Sequence, residues 1–437
     1  MGHGEAIIPN PWMMLPFGLL LATIALGPLF FLHWWEKHYP KVAYVLGAIT
    51  LVYYFFELHA NERIWHTAVE YVQFIALVGS LYVVSGGIHI NVKGEATPHN
   101  NVLFLLFGAV IANVLGTTGA SMLLIRPWIR MNKYRITAHH VVFFIFIVSN
   151  VGGCLTPIGD PPLFLGFLKG IPFWWVLEHC WPMWLVGIGT LLAMFYVVDS
   201  INYRKAPKEV REEIAEPPDQ WRFDGLINLV FLGIILGAVF IPKPLFLREA
   251  LMVGAALGSY FLTKKSIHEA NHFNFHPIQE VAILFIGIFS TMMPALDWLQ
   301  ANASAMENTS PSIFYWGTGL LSGVLDNAPT YLSFLSAIIG KFATAEAMGI
   351  DPSALTEHAQ IHHLIDTPEI MSYVVAISVA AVFFGANTYI GNGPNFMVKS
   401  IADQQKVHAP SFLGYVFKFT IPYMVPTVLI VWFIFFR

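Results

Sequence analysis

Charge is what this chain has least of. Asp, Glu, Lys and Arg make up only 11% of its 437 residues, where a soluble chain carries roughly 25%. A water-exposed globule of this length is therefore excluded. Cysteine is nearly absent: Cys154 and Cys180 each sit in apolar sequence, so no disulfide framework is expected and both read as small apolar fillers. Basic residues are not in excess, the net charge being −4, which removes the footprint of a nucleic-acid binder. The opening MGHGEAIIPNP lacks the positive stretch of a signal peptide, and the apolar run behind it is long enough to cross a bilayer. No soluble domain is visible; the longest polar stretch is about 202–223.

Apolar sequence is what fills the chain, at 56% of residues with mean hydropathy +0.62. Runs of spanning length fall at about 12–34, 41–60, 67–88, 172–199, 224–241, 246–263, 278–297 and 411–436. Two regions, 100–130 and 311–343, are interrupted near their middles by GTTGAS and DNAPTY. Each half is too short to cross, so they read as re-entrant hairpins, tolerated only where the tip is buried in protein or faces a watery cavity. Two more, 137–168 and 369–402, span only if they contain Gly- and Pro-rich breaks. The first break, GCLTPIGDPPLF (Gly153–Phe164), cannot be a continuous helix, because proline removes a backbone donor and clashes with the preceding turn.

That break has a counterpart. GANTYIGNGPNF (Gly385–Phe396) matches it without gaps at Gly153/Gly385, Thr156/Thr388, Ile158/Ile390, Gly159/Gly391, Pro162/Pro394 and Phe164/Phe396. VLGTTGAS (Val114–Ser121) sets on VLDNAPTY (Val324–Tyr331) ahead of it, and a polar insertion around 344–368 accounts for most of the difference in spacing. The expected fold is an all-α polytopic membrane protein of two repeats, 1–200 and 224–437, joined by a cytoplasmic linker at 201–223. Each repeat holds five spans, one broken, plus a hairpin. Five is odd, so the second repeat enters from the opposite face, as in secondary transporters with inverted repeats.

Placed on alternating sides, sixteen Lys and Arg residues fall on one face, among them Lys37, Lys41, Lys93, Arg126, Arg130, Lys133, Arg135, Lys208, Arg211, Lys264 and Lys265. Six fall on the other: Arg63, Lys169, Lys243, Arg248, Lys341 and Arg437. The positive-inside rule puts the first face in the cytoplasm and both termini outside. The expected location is a bacterial-type inner membrane.

Helix breaks at the midplane free carbonyls and expose helix ends, and oxygen side chains add ligands for a hard cation. The first pair of breaks supplies Thr117, Thr118, Ser121, Asn150, Thr156 and Asp160. The second supplies Asp326, Asn327, Thr330, Asn387, Thr388, Asn392 and Asn395. Gly153, Pro157, Gly159, Gly391 and Pro394 make the breaks themselves. Thr, Ser and Asn also have a plain structural use, satisfying backbone groups that the breaks release. Asp160 and Asp326 are harder to explain so, one lying at a break in each repeat, although either carboxylate could cap a half-helix. Glu70, Glu280, Asp297 and Glu57 lie near span ends and read as interfacial anchors.

Other motifs point away from chemistry. HEANH (His268–His272) matches the zinc-protease pattern, but it lies in a short polar loop without the sustained helix that pattern needs. His139, His140, His362 and His363 are expected at membrane surfaces, where a pH-sensing role is the alternative. Trp34, Trp35, Trp174, Trp175, Trp181 and Trp184 cluster at span ends like an aromatic belt.

SNVGGCLTPIGDPP (Ser149–Pro162), PIQEVAILFIGIF (Pro277–Phe289) and GANTYIGNGPNFMVKSIA (Gly385–Ala402) resemble the ion transporter superfamily. Within it the likeness is to NhaD-type sodium/proton antiporters and the related arsenite and citrate permeases. The resemblance implies two hairpins and two broken helices around a central site, elevator-type movement against a scaffold, and a homodimer. The dicarboxylate carriers of that superfamily have Ser-Asn-Thr at both hairpin tips. Here the tips read Gly116-Thr117-Thr118 and Asp326-Asn327-Ala328, and an aspartate there would repel a carboxylate. The expected activity is sodium/proton antiport, with the two ions as cargo and no cofactor. The alternative is sodium-coupled uptake of citrate or another organic anion, and a third reading is a membrane metalloprotease.

Overall fold

The computed structural model describes residues 7–91, 97–207, 222–241, 243–307, 309–351 and 354–437. Most of the expected linker, with Lys208 and Arg211, lies outside these residues, as does Lys93. The chain runs α1 (Leu15–Phe30), α2 (Leu32–Phe56), α3 (Asn61–Gly86), β1 (His89–Asn91), α4 (Pro98–Met131), α5 (Ala138–Ile147), α6 (Pro161–Leu168) and α7 (Trp175–Lys205). There follow β2 (Arg222–Asp224), α8 (Asn228–Ala238), α9 (Leu247–Leu262), α10 (Lys265–Ala270), α11 (His276–Asn302), α12 (Pro311–Ser322) and α13 (Asn327–Phe342). The last are α14 (Ala345–Met348), α15 (Glu357–Asp366), α16 (Pro368–Phe384), α17 (Gly393–Gln404) and α18 (Phe412–Phe435), whose middle, Val416–Met424, is π-helical. Among the described residues, eight helices are long and apolar enough to cross a membrane. The protein is thus a nearly all-helical, multi-pass membrane protein.

Local chemistry sets the helix starts. Thr97, Ser310 and Thr356 each accept a backbone N–H as N-caps, and Pro98, Pro311 and Pro368 occupy first-turn positions where no donor is needed. Strand β1 pairs antiparallel with β2, His89 opposite Asp224, a small sheet that composition alone did not signal. The polar insertion at 344–368 carries α14 and α15.

Helix α4 is one of the eight by length, but it does not run straight. Gly116 has φ 75° and ψ 156°, a conformation nearly confined to glycine. The two arms fold back on each other: Asn101 Nδ2 donates to Asn132 Oδ1 at 2.8 Å, and the rings of Phe104 and Trp128 stack 5.4 Å apart. Helices α12 and α13 form a second pair of antiparallel arms, with the Phe314 and Phe334 rings 5.8 Å apart. The break between α5 and α6 contains a short 3-10 turn, Val151–Gly153, and that between α16 and α17 contains Gly385–Asn387.

The core runs through the middle. Phe74 on α3 stacks on Phe285 of α11 at 4.6 Å and meets Phe164 of α6 at 6.5 Å. Toward one end, Arg63 pairs with Asp297 at 3.0 Å and Lys169 with Glu70 at 2.6 Å and Glu357 at 2.9 Å. Arg63 and Lys169 are both cations of the sparse set. Asp297 and Glu70 are therefore ion-paired rather than simple anchors.

At the other end the sequence reading needs correcting. His139 and His140 are not solvated at a surface but buried, at 8% and 0% exposure. Both face Asp199, a fully buried carboxylate on α7, and Arg135 grips both of its oxygens. Asn101 also donates to Asp199 at 2.9 Å, so this knot ties α4, α5 and α7 together. Trp35, Trp175 and Trp184 are likewise buried in packing, while Trp34, Trp174 and Trp181 are exposed as a belt would be.

Candidate ion-binding site

The two breaks are built alike. Thr156 Oγ1 donates to the Asn113 carbonyl at 2.6 Å, and Thr388 Oγ1 donates to the Gly323 carbonyl at 2.8 Å. The Thr117 N–H donates to the Gly159 carbonyl at 2.7 Å, and the Asn327 N–H to the Gly391 carbonyl at 3.2 Å. Each hairpin tip is thus pinned to the glycine that the sequence match pairs. Those glycines are required by close approach: a Cβ on Gly159 would lie 2.1 Å from the Gly153 carbonyl oxygen, and one on Gly391 2.6 Å from that of Gly385. After each crossing the chain turns into a helix at an extended residue, Asp160 before α6 and Asn392 before α17.

These two residues meet. Asn392 Nδ2 donates to Asp160 Oδ1 at 2.9 Å, Thr117 Oγ1 to the same oxygen at 2.6 Å, and Asn327 Nδ2 to Oδ2 at 2.5 Å. Four helices begin here: the second arm of α4, α6, α13 and α17. Their N-terminal dipoles favour negative charge. Asp160 is 1% exposed, and among the described residues no Lys, Arg or His pairs with it. Asn327 Oδ1 is buried without a hydrogen-bond partner, and so is Asn387 Oδ1. Both are oxygen ligands that a cation would satisfy. Beside Asp160 lies a cavity of about 30 Å³, lined in part by Leu81, Thr117, Thr118 and Phe164. It has room for a water or a bare ion and not for citrate.

The remaining candidates sort around this centre. Asn150 supports it, donating to Asn395 Oδ1 at 2.7 Å and accepting from Asn392 at 3.2 Å. Asn395 donates to the Gly385 and Thr388 carbonyls. Ser121 bonds Ser149 at 2.7 Å. Thr156 and Thr388 satisfy the released backbone, and Thr330 bonds the Asp326 carbonyl one turn back at 2.9 Å. Asp326 accepts the Ala328 N–H at 3.0 Å as the N-cap of α13, and no hydrogen bond joins its carboxylate to Asp160. Pro157 lines the cavity and Pro394 starts α17, as helix-break residues should.

Two residues escaped the sequence reading. Asn113 donates to the Gly152 carbonyl at 2.7 Å and accepts the Leu155 N–H at 2.8 Å, bracing the first break from the hairpin. Ser149 offers its carbonyl to Asn392 at 3.1 Å. An asparagine inside the apolar arm ANVLG was the available signal for the first.

The chain belongs to the family described as "putative citrate transport". The match runs over residues 7–436, nearly the whole chain, and is consistent with the citrate and arsenite permeases of the ion transporter superfamily. A search of curated proteins gives no match. Membership makes the protein a transporter and gives no support to a protease. The geometry agrees at HEANH, where α10 ends at Ala270 and His272 adopts φ 48° beyond it, so the two histidines do not share a helix face.

Another group, His139, His140 and Asp199, has donor atoms close enough to hold a metal. Its hydrogen bonding does not suit one. The Thr137 N–H donates to His140 Nδ1 at 3.2 Å, so the neutral ring carries its proton on Nε2, which points at Asp199. A ring so arranged has no lone pair for a metal, and Arg135 already occupies the carboxylate.

Proposed function

We propose that the protein is a secondary transporter exchanging sodium for protons, with Asp160 as the group for which the two ions compete. The observation that carries this reading is a carboxylate buried among neutral donors with no cationic side chain beside it. A buried charge of that kind is costly unless something neutralises it. A proton and a small cation can each do so, and a site crossing the membrane only when neutralised exchanges one for the other. The unpartnered Asn327 Oδ1 supports cation binding there. In this reading 1–200 and 224–437 are inverted repeats, both termini lie outside, and the working unit is a homodimer. The matched pinning of the two hairpin tips supports the repeat relation.

The test is sodium-driven proton flux in proteoliposomes. Asp160→Asn should abolish the flux, and Asp326→Asn should reduce it; wild-type exchange by both variants would refute the mechanism. A second reading, sodium-coupled symport of citrate or another organic anion, is favoured by the family description and by the helix N-termini that converge at the site. Labelled citrate uptake driven by a sodium gradient, without sodium-driven proton flux in its absence, would establish symport instead.

A further inference from the structure

One segment lies outside the match between the two halves. The polar insertion at 344–368 has no counterpart in the first half, and it carries α15. Thr356 caps this helix, accepting the Ala359 N–H at 3.1 Å. Its inward face holds Gln360, Ile361, Leu364 and Ile365, all buried, and Gln360 Nε2 donates to the Ala343 carbonyl at 2.8 Å. Packing thus fixes which way α15 faces, and the opposite side is left to solvent.

That side carries His358, His362 and Asp366 at four-residue steps. Successive positions lie about 40° apart around the helix, so all three fall on one face. The His358 and His362 rings are 4.3 Å apart between centroids, and Asp366 Oδ2 lies 3.5 Å from His362 Nδ1. The side chains of His362 and Asp366 are 42% and 72% exposed, and His358 is exposed as well. Among the described residues no hydrogen bond occupies either ring. The contrast is with the group around Asp199. There His140 Nδ1 accepts the Thr137 N–H, its Nε2 meets Asp199, and Arg135 fills the carboxylate. On α15 each ring keeps a nitrogen lone pair open to an incoming ion, and a four-residue step on one helix face is the spacing that lets two imidazoles reach the same ion.

We propose that His358 and His362 bind a divalent transition-metal ion, of the zinc class, on the exposed face of α15. Imidazole suits zinc, copper and nickel rather than the hard ions magnesium and calcium. Asp366 is a positioning residue: beside Nδ1 of His362, it favours the tautomer protonated there and leaves Nε2 to the metal. Water completes the coordination. The ion joins one turn of α15 to the next, in a helix of 10 residues that is marginal by itself. At its start Glu357 pairs with Lys169, just beyond α6, at 2.9 Å, and at its end the chain passes through Thr367 into α16. The metal therefore clips the segment that touches both broken helices. The site is separate from Asp160 and does not depend on which ions exchange there.

Calorimetric titration with zinc chloride tests the site, using the full-length protein without a polyhistidine tag in phosphatidylcholine nanodiscs. One zinc should bind per chain. Asp366→Asn should weaken it by about tenfold, the low end for a lost outer-shell partner, and His358→Ala and His362→Ala should each weaken it by more. His363→Ala, beside the pair but off its line, should bind zinc like the wild type. Without metal all four variants should melt like the wild type, because none of these side chains belongs to the buried face. With copper(II) as the probe, the electron paramagnetic resonance spectrum should show coupling to two nitrogens in the wild type and to one in either ligand variant. Wild-type zinc affinity in the His358→Ala/His362→Ala double variant overturns the proposal. So does displacement of zinc by millimolar magnesium, or a copper spectrum that the double variant leaves unchanged. Because the readout is metal binding, failure here is distinct from loss of proton flux in Asp160→Asn.

Discussion

At Asp160 the chemistry rests on which donors reach which oxygen. That Asp160, Asn327 and Asn392 are candidates was legible, because each is a polar residue at a break in apolar sequence. That they touch was not. The contacts join residues 167 and 232 positions apart, and only packing of one half against the other creates them. The same reasoning explains why Thr156, Thr330 and Thr388 looked equivalent to them in sequence: a hydroxyl at a break is as useful to released backbone as to an ion. The two roles separate by mutation. Asn392→Ala removes a hydrogen bond to a carboxylate, worth about 1.5–3 kcal/mol, and should raise the sodium concentration for half-maximal proton flux by about tenfold or more. Thr330→Ala removes only a local bond and should leave that concentration close to wild type. Equal effects from both would mean that Asp160 is not the centre.

Among the described elements, hydropathy and the Gly- and Pro-rich motifs located the long helices and both breaks but could not see what bends or ties them, and the runs read as spans at 224–241 and 246–263 form helices of only 11 and 16 residues, α8 and α9. Gly116 is the clearest case, one glycine among 34 whose conformation turns an apolar run into two arms. An alanine there meets both a strained backbone and the Ile158 carbonyl oxygen at 3.1 Å. Gly116→Ala should cost about 1–3 kcal/mol, read as a lower melting temperature of the purified protein. Asp199 was hidden for the opposite reason: at the end of a long apolar run, one acid barely changes the average. Its knot with Arg135, His139 and His140 shows that a buried carboxylate in this fold can be structural where a cation and ring N–H donors meet it, and by contrast why Asp160, with no cation beside it, reads as functional. Asp199→Asn removes the negative charge that Arg135, His139 and His140 share and should destabilise by about 3–5 kcal/mol. Asp403→Asn, which breaks the half-exposed pair with Lys399 at 2.7 Å, should cost about 1 kcal/mol or less. Thermal melts of the two variants side by side check the difference.

For the whole molecule, the decisive quantity is parity. Whether a segment crosses or returns fixes the side of everything after it, so the hairpins govern the topology more than any single span. The ion pairs give this an internal check: Lys169, Glu70 and Glu357 come from three distant parts of the sequence, yet the alternation of spans assigns all three to one face, and they meet there. Arg63 and Asp297 behave the same way. Labelling turns this agreement into a measurement. Both native cysteines are buried, so a membrane-impermeant maleimide should find little background. Lys265→Cys, at a side chain 90% exposed, should be labelled only from the cytoplasmic side. Glu346→Cys, exposed on α14, should be labelled only from outside, because α11 crosses between the two positions and the α12–α13 pair returns to its own face. Labelling of both from one side would mean that the α12–α13 pair crosses once instead of returning to its own face, and the inverted relation between the halves would fall with it.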